Sequence, residues 1–370
     1  MRRTLLTLTQ ICLIFTLMGQ SNSQPASTNV RRAEYPRITE DSRAVFRIEA
    51  PDVDQLQLDL GRRYDMVKNS DGVWEVTTDS LGEGFHYYSL IINGLAVADP
   101  ASETFYGMGR KASGIEIPFD GDDYYSLRDV PHGEIRIRRY FSQVTNSWRS
   151  FYLYTPPCYD KDTSKKYPVL YLLHGGGEDQ RGWAMQGKTD LILDNLIADG
   201  QAVPMVVIMV DGNIPSAGFG LSALEAFENE LIESIIPFVE SKYRVKADAD
   251  SRALAGLSMG GLQTLHAGLR NTEMFSFLGV FSSGWWVNQP AISDPQYDFM
   301  RNNTEVINNN LKQFWIAMGG QEDIAWENCQ VMMREFDQMS VQYSYSEYPG
   351  GHTWPVWRNN LYNFSKLLFK

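Results

Sequence analysis

Cysteine is scarce in this sequence, with three residues in 370, and one of them, Cys12, lies inside an apolar run near the start. A disulfide framework is therefore excluded. Cys158 and Cys329 could form one bridge at most, and two buried free thiols are the expected state. Histidine is also sparse, at five residues, and no Cys or His cluster has metal-ligand spacing. Neither a metal nor a cofactor is expected. Basic residues are in deficit, 33 Lys and Arg against 45 Asp and Glu. A formal charge of −12 leaves no positive surface for a phosphate backbone, so nucleic acid is not an expected partner. The one long apolar run, residues 5–18, is shorter than the ~20 residues a spanning helix needs and is interrupted by Thr7, Thr9 and Gln10, so no stable membrane association is expected.

That run has a different reading. Arg2 and Arg3 precede it and Ser21-Asn22-Ser23 follow it, the pattern of a cleavable signal peptide over residues 1–23. The mature chain is expected to begin near Gln24 and to be exported, periplasmic or secreted. No cysteine stands at the cleavage point, which argues against a lipid anchor. With 43% hydrophobic and 21% charged residues, the remainder has the balance of a globular protein with a sizeable core.

Two textures follow one another along the chain. Residues 24–125 carry short alternating segments, such as Ala44-Val45-Phe46-Arg47-Ile48, Leu56-Gln57-Leu58 and Tyr87-Tyr88-Ser89-Leu90. Turn signals at Asp71-Gly72, Gly82-Glu83-Gly84 and Asn93-Gly94 separate them. An antiparallel, immunoglobulin-like β-sandwich is the economical reading. Residues 126–370 alternate strands with helices, which predicts an α/β fold with a mostly parallel sheet covered on both faces. Strands are expected at 151–154, 169–173, 206–210, 253–255, 278–281, 314–318 and 343–348, and helices at 224–241, 261–270, 325–339 and 355–368. The boundary is placed in 121–132, where Gly121-Asp122-Asp123 and Pro131-His132-Gly133 break the pattern.

The chemistry sits in the second part. Gly256-Leu257-Ser258-Met259-Gly260 follows a strand-like run and opens a helical one, the context in which such a string makes a nucleophile elbow with the serine oxygen exposed. This is the signature of an α/β-hydrolase. Tyr171-Leu172-Leu173 ends in His174-Gly175-Gly176-Gly177, where that fold contributes an oxyanion-hole amide. The expected hole is the N–H of Met259 with that of Gly176, Gly175 being the alternative, and His174 at the strand end is read as structural. Triad order in the fold is Ser, acid, His. Downstream of Ser258 stand only His266, inside the elbow helix, and His352, in the loop Pro349-Gly350-Gly351-His352, so His352 is the expected base. Gly319-Gly320-Gln321-Glu322-Asp323 offers two acids, of which Asp323 is preferred and Glu322 remains open.

Together, Tyr167-Pro168-Val169-Leu170-Tyr171-Leu172-Leu173-His174-Gly175, Gly256-Leu257-Ser258-Met259-Gly260-Gly261, Gly320-Gln321-Glu322-Asp323 and Gly350-Gly351-His352-Thr353-Trp354 resemble the esterase-D family, including carbohydrate esterase family 1. The resemblance implies a Ser258, Asp323, His352 triad and feruloyl or acetyl xylan esterase activity. Gly84-Phe85-His86-Tyr87-Tyr88 and Asp71-Gly72-Val73-Trp74 resemble the early-set domain similar to carbohydrate-binding module 48 that precedes many glycan-active enzymes. The expected partners are feruloylated or acetylated xylan oligosaccharides, with release of ferulic acid preferred. Siderophore esterase, S-formylglutathione hydrolase and non-catalytic glycan-binding module are the rivals. Trp183 and Trp286, near strand ends, are the expected aromatic contacts to substrate.

Overall fold

The computed structural model describes residues 22–119, 123–215 and 217–370. The expected leader, its last two residues apart, lies outside the described residues, as do Cys12 and the Gly121-Asp122 step of the expected boundary. Among the described residues, no helix is long and apolar enough to cross a membrane.

The leading region holds two antiparallel sheets. One runs in the order Ser23–Pro25, Arg37–Thr39, Arg43–Glu49, Val73–Ser80, Val67–Lys68; the other in the order Thr104–Gly107, Arg110–Ile117, Gly84–Ile92, Leu56–Leu60, Arg62–Asp65, with Leu95–Val97 added to Gly84–Ile92. Alternation decides which side chains go inward. Leu56, Leu58 and Leu60 are buried while Gln57 and Asp59 are only partly so. Across the gap they share a core with Ala44, Phe46 and Trp74 of the first sheet. Asn93-Gly94 makes the hairpin its sequence predicts, with positive φ at both residues (47° and 88°).

The last strand of this region ends at Ile117 and the first strand of the large sheet begins at Glu134. That sheet runs Glu134–Ser142, Ser147–Thr155, Val206–Val210, Val169–Leu173, Arg252–Leu257, Phe277–Phe281, Gln313–Met318, Ser344–Glu347. The first two strands are antiparallel additions and the other six are parallel to one another. Continuous apolar runs mark the central strands because helices cover both faces: Val169–Leu173 and Val206–Val210 are buried at every residue.

Several expectations change. Glu134–Ser142 was not expected as a strand; at the sheet edge it exposes Ile137, Arg138 and Arg139 and carries no apolar run. Pro290–Asn310 is a helix that the pattern misses, because its buried stripe is only Ser293, Gln296, Tyr297, Met300 and Ile307. The expected helix 224–241 is instead Leu221–Asn229, a π-helical segment Glu230–Ile235, and Ile236–Lys242. Within that segment Glu230 is buried and accepts from Tyr140 Oη at 2.7 Å and from Ser142 Oγ, with Arg149 Nε 3.3 Å away. Cys329 is a buried free thiol, its pKa pushed up to about 12 by burial, but Cys158 is free and exposed, against the expectation of two buried thiols.

The two parts meet in a polar seam. Arg358, fully buried on the helix Trp354–Ser365, donates from Nη1 and Nη2 to both oxygens of Glu116 on the leading region, at 2.6 and 3.0 Å. Its Nε donates to Gln186 O at 2.6 Å, and its guanidinium lies over the Tyr125 ring. Phe85 and Phe105 of the leading region also pack into the core of the larger part. Arg358→Ala removes the cation from this seam and leaves Glu116 unpaired. The expected loss is about 3–5 kcal/mol, read from urea unfolding, with partial recovery in Arg358→Ala/Glu116→Gln.

Candidate active site

The strand Arg252–Leu257 is buried at every position in the middle of the large sheet and stops one residue before the helix Met259–Arg270. Ser258 makes the whole turn, at φ 51° and ψ −113°. For a residue with a Cβ this conformation is strained by roughly 1–3 kcal/mol. Its backbone is held on both sides, the N–H donating to Phe281 O at 2.9 Å and the carbonyl accepting from Ser283 Oγ at 2.8 Å. Only glycine fits around it. A Cβ on Gly256 would stand 2.4 Å from the Gly260 carbonyl, and one on Gly260 would stand 2.7 Å from His174 O.

The strands Gln313–Met318 and Ser344–Glu347 end side by side, so the loops that follow them meet. Gly320 N–H donates to Gly350 O at 2.7 Å and ties one loop to the other. His352 Nδ1 donates to Asp323 Oδ1 at 2.8 Å, which leaves Nε2 for another partner. The same carboxylate oxygen accepts from Ala325 N–H at 2.9 Å. Burial works against the charge on Asp323, but the hydrogen bond from His352 helps to outweigh it and hold the carboxyl below its ordinary range. Of the two acids left open, Asp323 has its side chain buried against His352 and Glu322 is exposed.

Ser258 and His352 line one cavity of about 490 Å³, together with Gly175, Gly176, Glu178, Trp354 and Trp357. The two amides of the glycine loop differ in their surroundings. Gly175 N–H is turned toward Glu178 Oε2 at 3.4 Å, whereas the Gly176 N–H has no acceptor among the described residues, and a Cβ at Gly176 would meet nothing within 4 Å. Met259 is the first residue of its helix, so its N–H belongs to the first-turn donors that lack a helical acceptor. His174 is buried and structural in its contacts, Nδ1 donating to Gly175 O at 2.8 Å and Nε2 accepting from Gly212 N–H at 3.0 Å.

The two tryptophans expected at the substrate are elsewhere. Trp183 is buried, donates from Nε1 to Leu173 O at 2.8 Å and packs edge-on against Trp354. Trp286 packs at a tilt against Phe219, outside the cavity lining. Their indoles were read by type and position, and neither tells which face a side chain takes. The aromatic walls are Trp354 and Trp357, joined by Phe85 and Tyr87 from the leading region. Neither Tyr87 nor Glu178 is marked as a site residue by its sequence context. Tyr87 Oη donates to Glu178 Oε1 at 3.0 Å and accepts from Trp354 Nε1 at 3.2 Å and from Gln186 Nε2. The aromatic run Phe85-His86-Tyr87-Tyr88 was a usable signal, but alternation alone does not say that one of its members leaves the first core for a second.

A family model described as putative esterase matches residues 142–367. An endo-1,4-beta-xylanase/feruloyl esterase of Xylanibacter ruminicola is 36% identical over 358 residues, 94% of this chain. The chain spans about half the length of that relative, 47%. Among solved structures, a feruloyl esterase module from Clostridium thermocellum complexed with sinapinate is 25% identical, with a TM-score of 0.57 over 68% of this chain and 92% of its own. The enterobactin esterase of Shigella flexneri shares the fold at 18% identity, with a TM-score of 0.66 over 88% of this chain and 92% of its own.

Two outcomes test the site. Asp323→Asn is expected to lower kcat on an activated ester by roughly 10⁴-fold, whereas Glu322→Gln, at an exposed position, is expected to stay within about twofold. Because the Asp323 carboxyl titrates below its unfolded value, its stabilisation is present above the ordinary carboxylate range and is lost as pH falls through the depressed value. The stability gap between the wild type and Asp323→Asn should therefore narrow on acidification, measured by urea unfolding across a pH series.

Proposed function

Because the chain belongs to the putative esterase family and is a carboxylic ester hydrolase, we propose that it releases ferulic acid from feruloylated arabinoxylan through an acyl-Ser258 intermediate. Ser258 Oγ attacks the ester carbonyl while His352 Nε2 takes its proton. Asp323 keeps the other ring nitrogen protonated and balances the imidazolium that forms. The N–H groups of Gly176 and Met259 receive the oxyanion, each contributing roughly 10²–10³-fold to turnover. The imidazolium then protonates the departing sugar oxygen as its bond to the carbonyl carbon breaks, and water attacks the acyl-enzyme with His352 again as base.

The observation that carries the acyl group is the cavity beside Ser258. Its walls of Trp354, Trp357, Phe85, Leu257 and Met108 and its size of about 490 Å³ suit an aromatic acid. An acetyl group would fill little of it. The 36% identical relative named as a xylanase/feruloyl esterase supports the same choice, since that similarity runs through the leading region as well. In this reading residues 1–23 export the protein to the periplasm or beyond, and the leading region is an immunoglobulin-like early-set domain similar to carbohydrate-binding module 48, spanning 24–125, ahead of the esterase at 126–370.

A product-identified assay tests the proposal. Feruloylated arabinoxylan fragments and methyl ferulate are expected to turn over faster than acetylated xylan or ferric enterobactin; preference for either of the latter would replace the acyl assignment. Ser258→Ala is expected to lower kcat by roughly 10⁶-fold. Retained turnover in that variant would overturn the mechanism.

A further inference from the structure

One wall of the cavity beside Ser258 is polar and belongs entirely to the leading region. Asp59, Ser89 and Arg110 line the same space as Ser258 and His352. Strand pairing places them: Asp59 on Leu56–Leu60 lies directly opposite Ser89 on Gly84–Ile92, and Arg110 opens the strand Arg110–Ile117. The hairpin before Arg110 is pinned to the glycine loop, for Met108-Gly109 turns with φ of 56° and 73° and Gly109 N–H donates to Gly177 O at 2.8 Å. A Cβ on Gly177 would stand 2.9 Å from Gly109 N, so the two loops touch along their backbones. The backbone leading into Arg110 is thus tied to the glycine loop.

These side chains are poorly used by the protein itself. Arg110 Nη2 and Asp59 Oδ2 are 3.8 Å apart, too long for a hydrogen bond, and both groups are partly exposed. Such a pair adds little to stability. Arg110 Nη2 reaches Ser89 Oγ at 3.4 Å, and its Nε is buried with no acceptor among the described residues. A guanidinium has five N–H donors and a carboxylate is acceptor-only, so together with a hydroxyl they offer unused donors and acceptors side by side. That array matches adjacent sugar hydroxyls, each of which donates and accepts. Asp59 beside Arg110 disfavours an anionic ligand by like-charge repulsion.

We propose that Arg110, Asp59 and Ser89 form a glycosyl-hydroxyl subsite for the alcohol side of the ester, so that the leading region completes the substrate site. The identity of the sugar ester rests on the function proposed above; the subsite itself rests on the cavity wall.

The test uses the full chain. In Arg110→Ala and in Asp59→Asn, kcat/KM for a feruloylated arabinoxylo-oligosaccharide is expected to fall roughly tenfold, chiefly through KM, as for loss of a hydrogen bond to a charged group. Turnover of methyl ferulate, which lacks the sugar and reports folding and chemistry, is expected to be unchanged. Equal losses on both substrates, or no loss on either, would overturn the subsite. A second arm titrates Ser258→Ala with the same oligosaccharide freed of ferulate, where Arg110→Ala is expected to weaken binding roughly tenfold. Absent binding, or affinity indifferent to Arg110, overturns the subsite; Arg110-dependent binding with a wild type that prefers acetyl esters overturns the acyl assignment and leaves the subsite standing.

Discussion

The buried pair of Arg358 with Glu116 is the constraint on which the site most depends, because three separate pieces of the cavity converge on it. Arg358 stands on the helix that starts two residues after His352, its Nε holds the carbonyl of Gln186 beyond the glycine loop, and Glu116 lies near the end of a strand of the leading region. An ion pair hidden from water gains little over apolar packing, but losing one partner leaves a charge that the interior cannot solvate. The seam is therefore intolerant of separation. Tyr87 extends it into the cavity by joining Glu178 to Trp354, so the base loop and the oxyanion loop are braced by a residue from the other part of the chain.

Against that brace the elbow's strain is small. Roughly 1–3 kcal/mol is stored at Ser258, while each fully buried Val, Leu or Ile of the neighbouring strands contributes about 1.5–3 kcal/mol. Val169–Leu173, Arg252–Leu257 and Phe277–Phe281 are buried throughout. Such a sheet can hold one residue in a rare conformation, and the parallel strands deliver Gly176, Ser258, Asp323 and His352 to the same edge.

Two buried carboxyls near this edge are driven apart electrostatically. Asp323 is buried too, yet the hydrogen bond from His352 helps to hold its carboxyl below the ordinary range, ready to balance an imidazolium. Burial dominates at Glu178 and raises its pKa despite His174 and Tyr87. The acid beside the glycine loop is thus shifted in the opposite direction to Asp323, with burial as the larger cause.

The sequence by itself determined the parallel strands of the larger part, the serine elbow, the glycine loop and the loop that holds His352. These are readable because buried parallel strands are continuous apolar runs and because a sharp strand-to-helix turn demands glycine at fixed spacing. Asp323 against Glu322 was left open, since one turn's register decides which carboxyl is buried. The edge strand Glu134–Ser142 and the helix Pro290–Asn310 were hidden by exposed charges and a thin apolar stripe. Tertiary structure alone decided the cavity's walls. Trp183 went to the core, and Tyr87, Asp59 and Arg110 came to the serine, because a cleft between two folded parts is made by contacts between residues far apart in the chain, and no local pattern encodes those contacts.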